Sequence, residues 1–336
     1  MKPTFAPKLL FAIALTLLAI SADAQRQQPA VTTPGVAPNG KPQSAVTTAP
    51  GFTPNNARTC LTCHGSNPKV MAIFQSPMAN KGDARTQFAI AGCEACHGNA
   101  ADHVAGKAPW PAIVFAGPHA SPVPVRNQAC LACHQSHDRL NWVGSKHDRE
   151  GVACTDCHTA HAAKDPVLAR ATQPNICFTC HARIRAETFE YSHHPIREGL
   201  VSCTDCHNPH GSFSGDNKML KEFTINQTCY NCHADKRGPL LWEHQPVREN
   251  CMLCHTAHGS NQPRLQIEQI NFLCTSCHSA TGANHSGGAF GGQSSIPFRG
   301  PGSTFTNSAL ANQRACTNCH SQVHGSNSPA GAFFFR

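Results

Sequence analysis

The sequence predicts a fold of short α-helices joined by coil, with little or no β-structure, and three observations lead to that prediction. Only 14% of the 336 residues are charged and only 7% are aromatic. Cysteine and histidine contribute 20 and 22 residues, far above ordinary usage. Glycine and proline contribute 25 residues each, and both favour turns over long regular elements. A sheet-rich enzyme or a long bundle around an apolar core is therefore excluded, and groups other than side chains must fill the interior.

Residues 1–24 have the pattern of a secretory signal peptide. Lys2 and Lys8 make the start basic, and residues 9–20 form an apolar run that contains one threonine. Ala22, Asp23 and Ala24 match the small-residue cleavage pattern, so Gln25 is predicted to begin the mature chain. A run of twelve residues is too short to cross a bilayer as a helix. These features predict export to the periplasm.

Residues 25–57 are rich in Pro, Thr, Ala and Gln and lack apolar periodicity. A chain of this composition cannot bury enough apolar surface to offset the entropy of ordering. We therefore predict a disordered or extended arm that acts as a spacer.

Every cysteine belongs to one repeated pattern, C-x-x-C-H, which occurs ten times with no cysteine left over. We number these motifs 1 to 10 in chain order. They are Cys60, Cys63, His64; Cys93, Cys96, His97; Cys130, Cys133, His134; Cys154, Cys157, His158; Cys177, Cys180, His181; Cys203, Cys206, His207; Cys229, Cys232, His233; Cys251, Cys254, His255; Cys274, Cys277, His278; and Cys316, Cys319, His320.

Three interpretations of this pattern compete. Disulfides would suit an exported protein, and zinc binding would suit paired cysteines, but neither requires a histidine after all ten pairs. Covalent c-type haem does require it, because two thioethers hold the porphyrin edge while the adjacent imidazole reaches the iron. The sequence therefore predicts a multihaem cytochrome c with ten covalently bound haems. The formal net charge of +8 does not indicate a nucleic-acid partner, since haem propionates more than offset it.

Twelve histidines lie outside the motifs and are candidates for the sixth ligand of each iron. Irons with two strong axial ligands have no open position for a substrate, which favours electron transfer over catalysis. Five of the twelve closely follow a motif histidine, namely His137, His161, His210, His258 and His324. Such a residue cannot wrap to the opposite face of the same porphyrin, so it must serve another haem if it serves any. This would tie neighbouring haems into one closely packed row.

An internal repeat supports an extended arrangement. Motifs 4, 6 and 8 begin at residues 154, 203 and 251, and each opens as C-x-x-C-H-x-x-H, with a second motif following. A two-haem module repeated along a chain predicts an elongated haem wire.

Several stretches carry a resemblance to a known family: 93–98 (C-E-A-C-H-G), 164–168 (K-D-P-V-L), 203–212 (C-T-D-C-H-N-P-H-G-S), 234–244 (A-D-K-R-G-P-L-L-W-E-H) and 321–326 (S-Q-V-H-G-S). With them, residues 58–336 resemble the periplasmic decahaem cytochromes of outer-membrane porin–cytochrome conduits, the Mtr-, Mto- and Pio-type proteins, close to the DmsE-type family. The resemblance implies two pentahaem halves, 58–200 and 201–336, inserted into an outer-membrane β-barrel porin. It implies a periplasmic cytochrome as electron donor or acceptor, and an outer-surface multihaem cytochrome is a further candidate partner.

The resemblance also sorts the non-motif histidines. Nine fall where the family has a distal ligand: His103, His147, His161, His194, His210, His244, His258, His285 and His324. The family's tenth distal histidine should fall near residues 74–78, where this chain has Met78. We therefore hypothesise that Met78 is the sixth ligand of one haem. The alternative is that Met78 only packs while His119 or His137 takes that position; His193 also falls outside the family pattern.

The leading functional hypothesis is a conductor for extracellular electron transfer, with donor and acceptor potentials deciding between external metal reduction and Fe(II) oxidation. A soluble periplasmic shuttle or store, or a feeder of an extracellular terminal reductase, is the alternative. A multihaem enzyme is disfavoured, because the chain has no C-x-x-C-K motif of the kind that some such enzymes use at an open haem.

Overall fold

The computed structural model describes residues 57–79, 82–214, 218–278, 316–318, 320–329, 331 and 334. The predicted signal peptide, residues 25–56 of the predicted arm, His285 and Cys319 lie outside this set. Within the described residues, no helix is long and apolar enough to cross a membrane.

The helices are short, as the sequence predicts. Those of the α type have four to nine residues each: α1 Ala57–His64, α2 Pro68–Met71, α3 Gln87–Ala91, α4 Glu94–His97, α5 Ala101–Val104, α6 Val123–Leu131, α7 Lys146–Arg149, α8 Cys154–Cys157, α9 Gln173–Cys177, α10 Ala182–Glu187, α11 Cys203–Cys206, α12 Ile225–Tyr230, α13 Gln245–Glu249 and α14 Ile270–Thr275. Single turns of 3₁₀ helix cover Ala72–Gln75, Pro77–Ala79, His137–Arg139, Pro166–Leu168, Ala234–Lys236, Cys251–Leu253, Pro263–Leu265 and Cys316–Asn318.

Strand structure is minimal in the described part of the chain. Strand β1 (Ser192–His193) pairs antiparallel with β2 (Gly259–Ser260), in the register Ser192 to Ser260 and His193 to Gly259. The rest of the described chain is coil, turn and isolated bridges. The predicted fold class, a multihaem cytochrome c of short helices and coil with little strand, is confirmed.

The apolar core is small. Its main cluster in the described residues joins Ala57, Ile73, Ala79 and Phe88, with Phe74 edge-on to Phe88 at 5.8 Å between ring centres. Many large apolar side chains stay exposed elsewhere, among them Leu140, Val143, Leu168 and Phe213. Helices of this length are unstable alone in water, so side-chain packing of this extent does not account for the fold.

Consecutive motifs use two different local structures. Motifs 1, 3, 5, 7 and 9 sit at the C-terminal ends of α1, α6, α9, α12 and α14, whereas motifs 2, 4, 6, 8 and 10 lie on a single helical turn of their own. An odd motif and the even motif after it therefore form one unit, which we call a doublet.

A buried amide fastens the two halves of a doublet to each other. In the doublet of motifs 3 and 4, the Asn127 side chain accepts from the backbone N–H of Cys154 at 2.8 Å and donates to the Val152 carbonyl at 3.0 Å. In the doublet of motifs 7 and 8, Asn226 accepts from the Cys251 N–H at 2.8 Å. It also donates to the carbonyls of Val247 and Arg248.

The doublet of motifs 5 and 6 uses a glutamine. The Gln173 amide oxygen accepts from the backbone N–H of Thr204, the residue after the first cysteine of motif 6, at 3.0 Å. The sequence carries a signal for the asparagine clamps that our sequence analysis did not use, since N-Q-A-C and N-Q-T-C recur at 127–130 and 226–229.

Replacing Asn226 by Ala should destabilise the haem-loaded protein by about 1–3 kcal/mol, because it leaves a buried N–H and two carbonyls without a partner. The measurement is the free energy of unfolding from denaturant titration. Asn231→Ala is the matched control, since Asn231 makes an exposed contact with Glu222 and should change stability little. Equal effects of the two variants would contradict the clamp.

Candidate haem-binding sites

Most motif histidines face a histidine from elsewhere in the chain. Eight pairs of rings have their centres 6.0–6.4 Å apart. They are His64–His103, His97–His161, His181–His147, His158–His210, His233–His194, His207–His258, His278–His244 and His255–His324. Each pair joins one motif histidine to one non-motif histidine.

This separation fits a metal between two imidazoles. A metal–nitrogen bond is about 2 Å, and the nitrogen lies about 1 Å from the centre of its ring, so two rings that share one metal have centres roughly 6 Å apart. Direct ring stacking gives centroid separations of about 4.5–7 Å as well, but it does not require that every pair combine one motif and one non-motif residue. The residues present therefore fit a six-coordinate haem iron at each pair.

The second nitrogen of most paired rings is engaged by the protein. Nδ1 contacts a backbone carbonyl in eight of them: His97, His103, His147, His161, His194, His207, His244 and His255, at 2.6–3.3 Å. A proton held on Nδ1 fixes the tautomer and leaves Nε2 as the metal ligand. The backbone thus orients the nitrogen that an iron needs.

Burial favours the neutral form of several paired rings. It lowers the pKa of His97, His258 and His324, and for His210 it lowers the pKa to about 4. Neighbouring histidines add to the effect at each of the four. Since only the neutral imidazole binds a metal, these surroundings suit ligation.

The pairs follow an alternating direction along the chain. Odd motifs 5, 7 and 9 pair with a histidine that precedes them, as His181 pairs with His147. Even motifs 2, 4, 6 and 8 pair with one that follows, as His158 pairs with His210. His64 of motif 1 pairs forward, with His103. A histidine close behind one motif faces the histidine of another: His161 follows His158 but faces His97.

The first cysteines of the two motifs in a doublet meet. In five pairs the two thiols lie close enough to shift each other's pKa: Cys60 with Cys93, Cys130 with Cys154, Cys177 with Cys203, Cys229 with Cys251, and Cys274 with Cys316. Since these sulfurs are the predicted attachment points of haem, the two porphyrin edges of one doublet would lie side by side.

Successive doublets also approach one another. Burial and the nearby thiols of Cys130 and Cys133 raise the pKa of Cys96, which links motif 2 to motif 3. The same kind of neighbour lies beside Cys157, Cys206 and Cys254, which links motifs 4 to 5, 6 to 7 and 8 to 9. Successive motifs therefore lie near one another in chain order.

The two remaining motif histidines differ from these pairs and from each other. His134 of motif 3 has no ring contact within the described residues. His320 of motif 10 makes a contact, and the predicted ligand His285 lies outside the described part of the chain. Met78 is half-exposed on the turn Pro77–Ala79, where its backbone N–H bonds the Ser76 hydroxyl.

The other non-motif histidines occupy different surroundings. His119 stacks on Trp110 with ring centres 5.0 Å apart. His137 adopts a left-handed backbone with φ of 57° at the start of a 3₁₀ turn. His193 lies on β1, where its ring nitrogens contact the Glu190 carbonyl and the Glu198 carboxylate. These three do not face a motif histidine in the described structure.

Comparison with known proteins agrees with this arrangement. The family described as "Doubled CXXCH motif" matches residues 193–238 and 244–283, and the family "Cytochrome c-type protein NrfB-like" matches residues 93–176. A curated relative, "Multiheme cytochrome MtrA" of Shewanella baltica (strain OS185), is 41% identical over 280 residues, which is 83% of this chain and 81% of the relative. The chain belongs to the MtrA-like multihaem cytochromes.

As an MtrA-like cytochrome, the chain binds covalent c-type haems through its C-x-x-C-H motifs, and it is an electron-transfer protein rather than an enzyme. Haem supplies one-electron redox chemistry in such proteins. The cysteine thiols would hold each porphyrin edge, the paired imidazoles would hold each iron, and the backbone carbonyls would set the ring orientation.

Two adjacent histidines of this MtrA-like cytochrome allow a matched test of the pairing. His194 faces His233 at 6.3 Å, whereas its neighbour His193 contacts carboxylate and carbonyl oxygens. Replacing His194 by Ala should convert one haem from low spin to high spin, because its iron loses a strong axial ligand. Electron paramagnetic resonance of the oxidised protein measures the change. His193→Ala should leave the spectrum unchanged, and a high-spin signal from His193→Ala alone would contradict the pairing.

Proposed function

We propose that this chain is a decahaem electron conduit, which carries electrons between the periplasm and the cell exterior from within an outer-membrane β-barrel. The observation that carries the proposal is that each motif lies near the next along the chain, from motif 1 to motif 10. A store of electrons needs many haems, but it does not need them joined in one uninterrupted sequence from the first motif to the last.

We further propose the axial ligands of all ten haems. The eight facing pairs provide both ligands for motifs 1, 2 and 4 to 9. His285 is the proposed second ligand of motif 10, because it is the predicted distal histidine that remains once the eight facing pairs are assigned; unlike the partners of motifs 2, 4, 6 and 8, it precedes its motif in the chain. In this arrangement no iron is open to substrate, which supports conduction over catalysis.

Met78 is the proposed sixth ligand of the motif 3 haem, opposite His134. Three features support this assignment. His134 has no imidazole partner in the described structure, odd motifs after the first take their partner from earlier in the chain, and His119 is stacked on Trp110. Thioether ligation raises a haem potential, so motif 3 would bind its electron more tightly than its neighbours.

The proposed location rests on the chain's first residues and on its family. The predicted signal peptide directs export, and export places haem attachment in the periplasm. An MtrA-like relative covers most of the chain. The proposed partners are an outer-membrane β-barrel porin, a periplasmic cytochrome that donates or accepts electrons, and an outer-surface multihaem cytochrome as a further candidate.

A reconstituted membrane tests the conduit. Proteoliposomes that hold the cytochrome and its barrel, with a reduced dye inside, should oxidise the dye when an impermeant iron oxide is added outside. Liposomes with the barrel alone or the cytochrome alone should not. Removing the haem of motif 7 with Cys229→Ala and Cys232→Ala should lower dye oxidation to the rate of the barrel alone, while His193→Ala should keep it.

A different result of the same assay would contradict the conduit. If the cytochrome washes off the liposomes and dye oxidation never depends on it, the protein is a soluble periplasmic shuttle and the barrel is not its partner.

Replacing Met78 by His should abolish the thioether-to-iron absorption band of the oxidised protein and lower one haem potential, because an imidazole replaces the thioether. Met71→His is the matched control, since Met71 is a comparably exposed methionine on α2. If the wild-type protein has no such band, and His119→Ala or His137→Ala creates a high-spin haem, then that histidine is the ligand.

A further inference from the structure

Two of the paired histidines contact a carboxylate through Nδ1, whereas eight others contact a backbone carbonyl there. Nδ1 of His158, the motif histidine of motif 4, lies 2.6 Å from Oδ2 of Asp165. Nδ1 of His258, which faces His207 of motif 6, lies 3.2 Å from Oε2 of Glu187. Ten paired rings have a described Nδ1 contact, and these are the two that meet a carboxylate.

Asp165 is held so that one oxygen is left for His158. Its Oδ1 accepts the backbone N–H groups of Thr159 and Val167, which fixes the carboxylate at the start of the turn Pro166–Leu168. The side chain is 15% exposed. No lysine or arginine contacts it in the described part of the chain, so its negative charge is directed at His158.

Glu187 reaches His258 by a different route. It ends α10, and the antiparallel pair β1–β2 brings His258 and Gly259 against this end of the helix. A Cβ atom at position 259 would clash with the Glu187 carbonyl oxygen, so glycine permits the approach. The other carboxylate oxygen of Glu187 binds Arg183 at 2.9 Å, which neutralises part of its charge.

A carboxylate and a carbonyl act differently on a metal-bound imidazole. Both accept the Nδ1 proton, but an ionised carboxylate draws it more strongly and makes the ring a more basic, more electron-rich ligand. A more basic ligand stabilises ferric iron over ferrous iron and so lowers the reduction potential. The opposite ligand in motif 4, His210, does not offset this, because its buried Nδ1 has no hydrogen-bond partner among the described residues.

We propose that Asp165 and Glu187 are positioning residues that make the haems of motifs 4 and 6 the two lowest in potential, with motif 4 below motif 6. The inference rests on the ligand pairs of the proposed function. The order follows from the shorter contact at Asp165 and from Arg183 beside Glu187. Since successive motifs lie near one another in chain order, these haems flank motif 5 near the middle of the row.

Potentiometric titration of the full haem-loaded protein tests the proposal, with absorbance reporting the reduced fraction. Asp165→Asn and Glu187→Gln should each raise the reduction potential of one of the haems that titrate at the low-potential end of the curve. We expect roughly a tenfold rise in the equilibrium constant for its reduction, which is about 59 mV for one electron. Asp83→Asn is the matched control, because Asp83 forms an exposed ion pair with Arg85 and no histidine contact there is described.

Arg183→Gln gives a prediction of opposite sign. It leaves the Glu187 carboxylate on His258 but removes its neutralising partner, so the motif 6 haem should become harder to reduce. A structural role of Glu187 would not produce this shift. Near-infrared magnetic circular dichroism provides a second measurement, because the charge-transfer band of a low-spin haem shifts when an imidazole ligand becomes more basic.

The outcomes distinguish an effect of the carboxylates on haem potential from a purely structural role and from a wrong ligand assignment. Upward shifts in Asp165→Asn and Glu187→Gln, with all haems low spin and full haem content, support the proposal. Unchanged titration curves overturn it, and so does a new high-spin signal in both variants, because the carboxylates would then only hold the ring. His158→Ala tests the ligand pair itself: if all haems stay low spin and present, the ligand assignment of the proposed function has failed.

Discussion

Two imidazoles held about 6 Å apart, one from a motif and one from a distant segment, are the constraint on which the rest of the structure depends. The helices are too short to persist alone, and the apolar cluster around Phe88 is confined to the start of the described chain. Binding of a metal by residues that are far apart in sequence contributes its free energy to folding. With the proposed ligand pairs, this contribution would be distributed over eight positions along the chain, so haem attachment would stabilise the fold at each of them.

Some of the paired histidines connect three parts of the chain. His161 faces His97, and its other nitrogen reaches the Lys69 carbonyl, 92 residues away. His147 faces His181 and reaches the Pro209 carbonyl. One ring therefore joins three segments: its own, that of the motif histidine it faces, and that of the carbonyl bound by its Nδ1. This explains how a chain with so little regular structure holds its ligands in one orientation, and why backbone carbonyls matter here as much as side chains.

The general features were predictable because they depend on composition and spacing. Ten motifs, short helices and the use of non-motif histidines all follow from local sequence, and the fold class is confirmed. The partners within each pair were not predictable, since His161 lies three residues after one motif histidine and faces another. Nor were the two carboxylates, because Glu187 meets His258 only through tertiary structure. For Asn127 and Asn226, the sequence shows the repeated position three residues before a cysteine. It does not show what their side chains bind, because that depends on where the next motif folds.

The histidine pairs also overlap along the chain. His64–His103 spans the start of His97–His161, which spans the start of His147–His181, and so on to His255–His324. Every peptide bond between residues 64 and 324 is therefore enclosed by at least one pair. If each pair holds one haem iron, as proposed, a single proteolytic nick there would leave two fragments that a shared iron still bridges.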